Sequence, residues 1–152
     1  MSANPSPVTG TLHVVCPQCA TTNRVARERL DDAPSCGSCK QALFPGRPFA
    51  LTKADFARHV ESDVPIVVDF WAAWCGPCRT MAPAYEAAAA RVGPGIHLGK
   101  VDTEAEPEIA SRFGIRSIPT LIAFRNGREI ARQSGALPLP QLIQWITTHA
   151  PI

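Results

Sequence analysis

The six cysteines stand as three Cys-x-x-Cys pairs: Cys16 with Cys19, Cys36 with Cys39, and Cys75 with Cys78. Two kinds of chemistry use that spacing. Two thiols three positions apart can close and reopen a disulfide, and two such pairs can aim four sulfurs at one metal ion. The flanking residues separate the two uses. Cys75-Gly76-Pro77-Cys78 follows an apolar run, Ile66 to Trp71, that reads as a buried β-strand, and it opens a run, Arg79 to Val92, that reads as a helix. A cysteine at a helix N-terminus meets free N–H groups and the positive end of the macrodipole, and both favour the thiolate. Pro77 lacks an N–H, which costs nothing in a first helical turn. Position therefore makes Cys75 the exposed nucleophile that attacks a disulfide, and Cys78 the more sheltered thiol that resolves the mixed disulfide. A structural disulfide or half a metal site is the plainer alternative for this pair.

The other four cysteines follow the pattern C-x2-C-x16-C-x2-C. Each short pair turns tightly, and two such knuckles complete a tetrahedral shell of four thiolates that suits Zn2+. Cys16, Cys19, Cys36 and Cys39 are thus the expected ligands of one structural zinc, with two redox pairs as the alternative. A closed four-sulfur shell leaves no open position for catalysis by the metal. Some forty residues bury little core, so a metal staple supplies folding free energy. Asn23-Arg24-Val25 and Ala42-Leu43-Phe44 are the expected short strands of this ribbon, and His13 is expected on a strand surface.

These groups need elements to position them. Residues 1–11 read as a flexible tail, 12–47 as the zinc ribbon, and 48–152 as a separate domain after the compact turn Pro45-Gly46-Arg47-Pro48. Thr52 and Asp55 suggest a capped short helix with Phe56 and Val60 on its buried face. Pro83 should interrupt and kink the helix that follows Cys78. Strands are expected over Ile96 to Val101 and Thr120 to Phe124, and a short helix over Pro107 to Phe113. Asn126-Gly127 signals a type I′ hairpin into Glu129 to Ser134, and Leu139, Leu142, Ile143 and Ile146 mark a last helix. The order predicts an α/β fold, a mixed central sheet with helices on both faces. Asp69 lies inside the apolar strand, on the face of Val67 and Trp71. Burial should raise its pKa and let it exchange a proton with Cys78. Trp71 is assigned to packing and Trp74 to the substrate surface. His59, His97 and His149 show no ligand spacing and are expected on the surface.

Composition narrows the class. The 152 residues are 45% hydrophobic and 18% charged, enough for a packed core, with a net charge of +2. The ribbon half has only a small basic excess and no aromatic interleaving, so nucleic acid ranks last among partners. Met1 to Thr11 has no apolar leader and no transmembrane run follows, which makes a reducing cytoplasmic setting the default and disfavours three structural disulfides. No phosphate-binding Gly-rich motif occurs, so neither flavin nor nicotinamide is expected to bind here directly.

The stretch Val68-Asp69-Phe70-Trp71-Ala72-Ala73-Trp74-Cys75-Gly76-Pro77-Cys78 closely resembles the active site of the thioredoxin family. The resemblance runs on through Gly114-Ile115-Arg116-Ser117-Ile118-Pro119-Thr120 and the Asn126-Gly127 turn, over about residues 50–150. With the ribbon in front, the chain resembles the bacterial thioredoxin 2 type. The resemblance implies a thioredoxin fold and reduction of disulfides in protein substrates. It also implies recycling by a flavin-dependent thioredoxin reductase that uses NADPH. It gives Asp69 the role of the buried acid, Lys100 that of its partner, and Pro119 that of the cis-proline facing the active disulfide. Gly76, Pro77, Ile118 and Gly135 would then border the substrate groove with Trp74. A monomer without membrane attachment is expected. Ala73 and Ser117 depart from the commonest family pattern, and Thr103 and Ser134 make the rim more polar, which bears on substrate preference. A different class stays open beside this one: a binding or redox-sensing module whose ribbon grips a partner and releases its metal on oxidation.

Overall fold

The computed structural model describes residues 10–151. Most of the expected tail, residues 1–11, therefore lies outside the described residues, and Thr11 already begins the first strand. The strands β1 (Thr11–Val15) and β2 (Thr22–Ala26) pair antiparallel, from Thr11 opposite Ala26 to Val15 opposite Thr22. A 3-10 turn over Arg27–Asp32 follows. Ala42-Leu43-Phe44 does not form the second ribbon strand. Its only ladder contact is a single bridge from Ala42 to Ser35; the Leu43 N–H donates to the Pro34 carbonyl at 3.0 Å, but Pro34 has no N–H to carry the ladder further. Leu43 is instead fully buried, packed with Leu12, Val14, Val25, Leu30 and Val64.

The larger sheet has the order β3-β5-β4-β6-β7. It is built from β3 (Phe49–Ala50), β4 (Ile66–Trp71), β5 (His97–Asp102), β6 (Thr120–Arg125) and β7 (Arg128–Ser134). β3 and β4 run parallel to β5, while β6 runs antiparallel to both β4 and β7. Five of the six β4 residues are buried, which explains an apolar run broken only at Asp69, since this central strand is covered on both faces. On one face Val67, Leu98 and Leu121 pack against Met81 and Tyr85 of α2 (Gly76–Arg91) and Leu142 and Ile146 of α4 (Leu139–His149). On the other, Ile66, Val68, Phe70 and Ile122 meet Phe56 and Val60 of α1 (Phe56–Val60) and Ile109 of α3 (Pro107–Arg112).

Three local expectations change. α2 begins at Gly76, so Cys75 is its N-cap and Cys78 lies in its first turn, and the helix runs on through Pro83 without interruption. Thr52 and Asp55 do bond reciprocally, with the Thr52 N–H donating to Asp55 Oδ1 at 2.9 Å, but on the turn before α1. His59 and His97 are not on the surface: they are 2% and 4% exposed. His59 sits three residues after Phe56 in a five-residue helix and shares its buried stripe, and His97 starts a strand whose end the ribbon covers. His149 is half-buried against the Trp145 ring. The Asn126-Gly127 turn has φ of 54° and 79°, as a type I′ hairpin requires.

The ribbon packs at the N-terminal end of β4. Ser62 Oγ donates to the His13 carbonyl, Arg58 donates to the Ala20 carbonyl, and His13 Nδ1 pairs with Asp63 at 2.9 Å. Cys75 follows the opposite end of the same strand, ~20 Å away along its length. The ribbon therefore leaves the redox site open.

Candidate active site and metal centre

Cys75 caps α2 and Cys78 lies in its first turn, and the two form a disulfide. The Cys78 N–H donates to Cys75 Sγ at 3.2 Å, a bond from a free helix N-terminal donor that stabilises negative charge on that sulfur in the reduced form. Both cysteines are nearly buried, at 4% and 3% exposure. Exposure therefore does not separate nucleophile from resolver in the oxidised state. What separates them is that Cys75 receives this N–H and faces the Ile118 carbonyl oxygen at 3.6 Å. Pro77 takes an early helical position where its missing N–H is harmless, and Gly76 has no neighbour within 4 Å of where a Cβ would stand.

Ile118 precedes Pro119, and the bond between them is cis. Ile118 packs against a small cluster formed by Ala72, Cys75 and Cys78, together with Trp71. The Gly135 N–H donates to the Pro119 carbonyl at 2.9 Å, so Gly135 borders the same loop, and its φ of 92° suits glycine alone. Trp74 is 66% exposed and donates through Nε1 to Glu104 at 3.2 Å, whereas Trp71 is half-buried.

Asp69 stands opposite Lys100 in the β4–β5 register and is 1% exposed. Its Oδ1 has no hydrogen-bond partner. Burial pushes its carboxyl up to about 7, with Lys100 acting in the opposite direction. The Lys100 ammonium lies 4.6 Å from the centroid of the Trp71 ring.

The four remaining cysteines converge. Their Sγ atoms all lie within 4.8 Å of one another, with Cys16 to Cys39 at 3.6 Å and Cys19 to Cys36 at 3.7 Å. Zinc–sulfur bonds of about 2.3 Å in a tetrahedron give sulfur edges of about 3.8 Å, so the cluster fits Zn2+. The two knuckles repeat one design. The Ala20 N–H bonds back to the Cys16 carbonyl and the Lys40 N–H to that of Cys36, each at 2.9 Å. Ala20 and Lys40 both adopt positive φ, 62° and 68°. Gln18 and Ser38 donate N–H groups to Cys16 and Cys36 sulfurs at 3.3 and 3.4 Å.

Several contributors carry no sequence motif. Asn23 links the knuckles: its amide donates to the Thr21 carbonyl and Cys36 Sγ and accepts from the Gly37 N–H. Buried Tyr85 aims its hydroxyl at the carbonyls of Val67 and Gly99, at 3.0 and 2.9 Å. Arg79 reaches back to the Ala73 carbonyl at 2.8 Å and ties the loop before Cys75 to α2. A polar residue at strand or helix spacing is the only signal these leave in a sequence.

A family model described as Thioredoxin matches residues 47–148, and one described as Thioredoxin 2, N-terminal matches residues 15–41. Thioredoxin C-3 of Corynebacterium nephridii is 44% identical over 134 residues, which cover 88% of this chain and 92% of that one. Thioredoxin 1 of a Nostoc strain is 44% identical over 100 residues, 65% of this chain and 94% of its own. The solved thioredoxin of Malassezia sympodialis superposes with a TM-score of 0.62 at 34% identity, covering 66% of this chain and 89% of the other. No helix among the described residues is long and apolar enough to cross a membrane. A disulfide-forming pair at a helix N-terminus, a four-sulfur ribbon ahead of it and these matches agree: the chain belongs to the thioredoxin family and is a dithiol-disulfide oxidoreductase.

Proposed function

We propose that the protein reduces disulfides in other proteins inside the cytoplasm, as a monomer, and is re-reduced by a flavin-dependent, NADPH-using thioredoxin reductase. The observation that carries this reading is the Cys78 N–H bond to Cys75 Sγ, which favours a thiolate at Cys75. The thiolate attacks one sulfur of the substrate disulfide. That S–S bond breaks, the other substrate sulfur leaves as a thiolate, and a mixed disulfide with Cys75 forms. Cys78 then loses its proton to the Asp69 carboxylate and attacks Cys75 Sγ. The substrate's second sulfur is released, and two electrons have passed to the substrate. Lys100 holds Asp69 partly toward its charged form, which keeps it able to accept that proton.

Pro119 and Ile118 face the disulfide, and with Trp74, Gly76, Pro77 and Gly135 they form the surface on which an extended substrate chain lies. In this reading residues 12–47 are the zinc ribbon and 48–152 the catalytic domain. Cys16, Cys19, Cys36 and Cys39 hold one zinc per chain, which staples the knuckles and takes no part in the exchange.

The test is insulin reduction driven by dithiothreitol, together with capture from cell extract. Cys75→Ser abolishes turnover, and Cys78→Ser accumulates mixed disulfides through Cys75. Full turnover by the Cys75→Ser protein would overturn the mechanism. The reduction potential decides direction. A value near about −270 mV makes the protein a reductant, and one near about −180 mV makes it an oxidant or isomerase.

A further inference from the structure

At the seam between the ribbon and the catalytic domain His97 is buried against ribbon residues, and His59 of α1 is buried behind it across Phe49; the redox chemistry uses neither. His97 Nε2 donates to the Leu43 carbonyl at 2.7 Å, a bond from β5 to the ribbon core. The His97 ring packs against Phe44 and Phe49 at centroid distances of 4.9 and 5.3 Å. His59 lies on the other side of Phe49, 5.0 Å from it and 6.3 Å from His97. Both ring nitrogens of His59 are buried without a hydrogen-bond partner. Beside them the linker Phe44 to Arg47 and the end of α2 line an open cleft of about 350 Å³ that His97 also borders.

We propose that His59 and His97 form an acid-sensitive latch that holds the zinc ribbon on the catalytic domain, and that protonating the pair frees the ribbon. Neutral imidazoles suit this aromatic box. A protonated His59 has two N–H donors and no acceptor for either, and it repels a protonated His97. Exposing the ring to water means parting α1 and β5 from the Phe44–Phe49 strap. The surrounding charges do not relieve the cost. Asp55 acts on His59 in its favour, but Arg58 on the same helix opposes it, and His97 stands across the box. Asp31 and Arg47, of opposite sign, line the cleft beside His97.

Burial lowers both histidines to about 4, from an ordinary value near 6.5. A folded-state pKa below the released one means that docking is strongest above pH 6.5 and is lost progressively as pH falls toward 4. Each histidine weakens docking about 30-fold between pH 7.5 and pH 5.0.

Amide hydrogen exchange on the zinc-loaded full chain measures this without needing a large undocked population. The Val64 N–H bonds to Ser62 Oγ at 3.0 Å beneath the ribbon core, so it exchanges when the ribbon lifts. The Lys40 N–H reports the knuckles themselves. The expected result is an at least 30-fold fall in the Val64 protection factor from pH 7.5 to pH 5.0, with Lys40 protection retained. In His59→Phe the fall shrinks at least tenfold. Unchanged Val64 protection in the native chain, or an equal fall in the variant, overturns the latch. So does a fall at Lys40 matching that at Val64, which assigns the change to the thiolates. Direct NMR titration of the native chain covers the case of a variant that does not fold. A His59 ring titrating below pH 5 supports the latch, and one titrating near 6.5 overturns it.

Discussion

Replacing Asp69 by asparagine is expected to stabilise the protein, and by an amount that depends on pH. The carboxyl is 1% exposed, leaves Oδ1 without a partner, and is pushed from 3.8 up to about 7 by burial. A folded-state pKa above the unfolded one means that the folded chain holds the proton more tightly. The contribution to stability is fully present below pH 3.8 and is lost as pH rises through 7. The whole shift corresponds to about 4 kcal/mol at pH 8, and to roughly 1.7 kcal/mol at pH 5, where the folded acid is still protonated. Asparagine fills the same volume without ionising. Removing the ionisation should therefore favour the Asp69→Asn protein by about 4 kcal/mol at pH 8 and roughly 1.7 kcal/mol at pH 5, before the cost of the new amide is counted. The unmet needs of the new amide subtract about 1 kcal/mol at both. Guanidinium denaturation of the oxidised, zinc-loaded proteins at the two pH values measures the difference, because other titrating groups cancel between them. An equal gain at both pH values, or a loss at pH 8, would refute a buried titrating carboxyl. The same variant should slow release of mixed disulfides, since Cys78 loses its proton acceptor.

Tyr85→Phe removes a hydroxyl aimed at two carbonyls in a site with no water access, and should cost about 1–2 kcal/mol in the same denaturation assay; a change under about 0.3 kcal/mol would mean that those carbonyls are satisfied without it. Stripping metal with a strong chelator at neutral pH should unfold the ribbon while leaving the five-stranded sheet folded, because the ribbon core is small. Hydrogen exchange separates the two, and knuckle amides of Ala20 and Lys40 that stay protected after chelation would count against a metal-dependent ribbon.

What a sequence makes legible here is whatever depends on spacing along the chain. Cys75 and Cys78 must be three apart to share one helical turn, and the apolar run before them must be a central strand to present them at its end. The four ribbon cysteines are legible for the same reason, since each knuckle closes within five residues. Asp69 is legible because a lone carboxylate among apolar neighbours on a strand is costly enough to need a purpose. Contacts between segments distant in the chain leave no such mark. Asn23 holds the second knuckle across fourteen residues to Gly37, and Tyr85 bonds carbonyls eighteen residues before it and fourteen after it. The histidines show the limit best. His59 reads as a surface residue in isolation, although its spacing from Phe56 already puts it on the buried stripe. His97 is buried because Leu43, fifty-four residues earlier, brings the ribbon over the end of β5. Burial of a polar side chain by a second module is a tertiary event, and its trace is a physical one: a titratable group held away from its ordinary pKa at the surface where the modules meet.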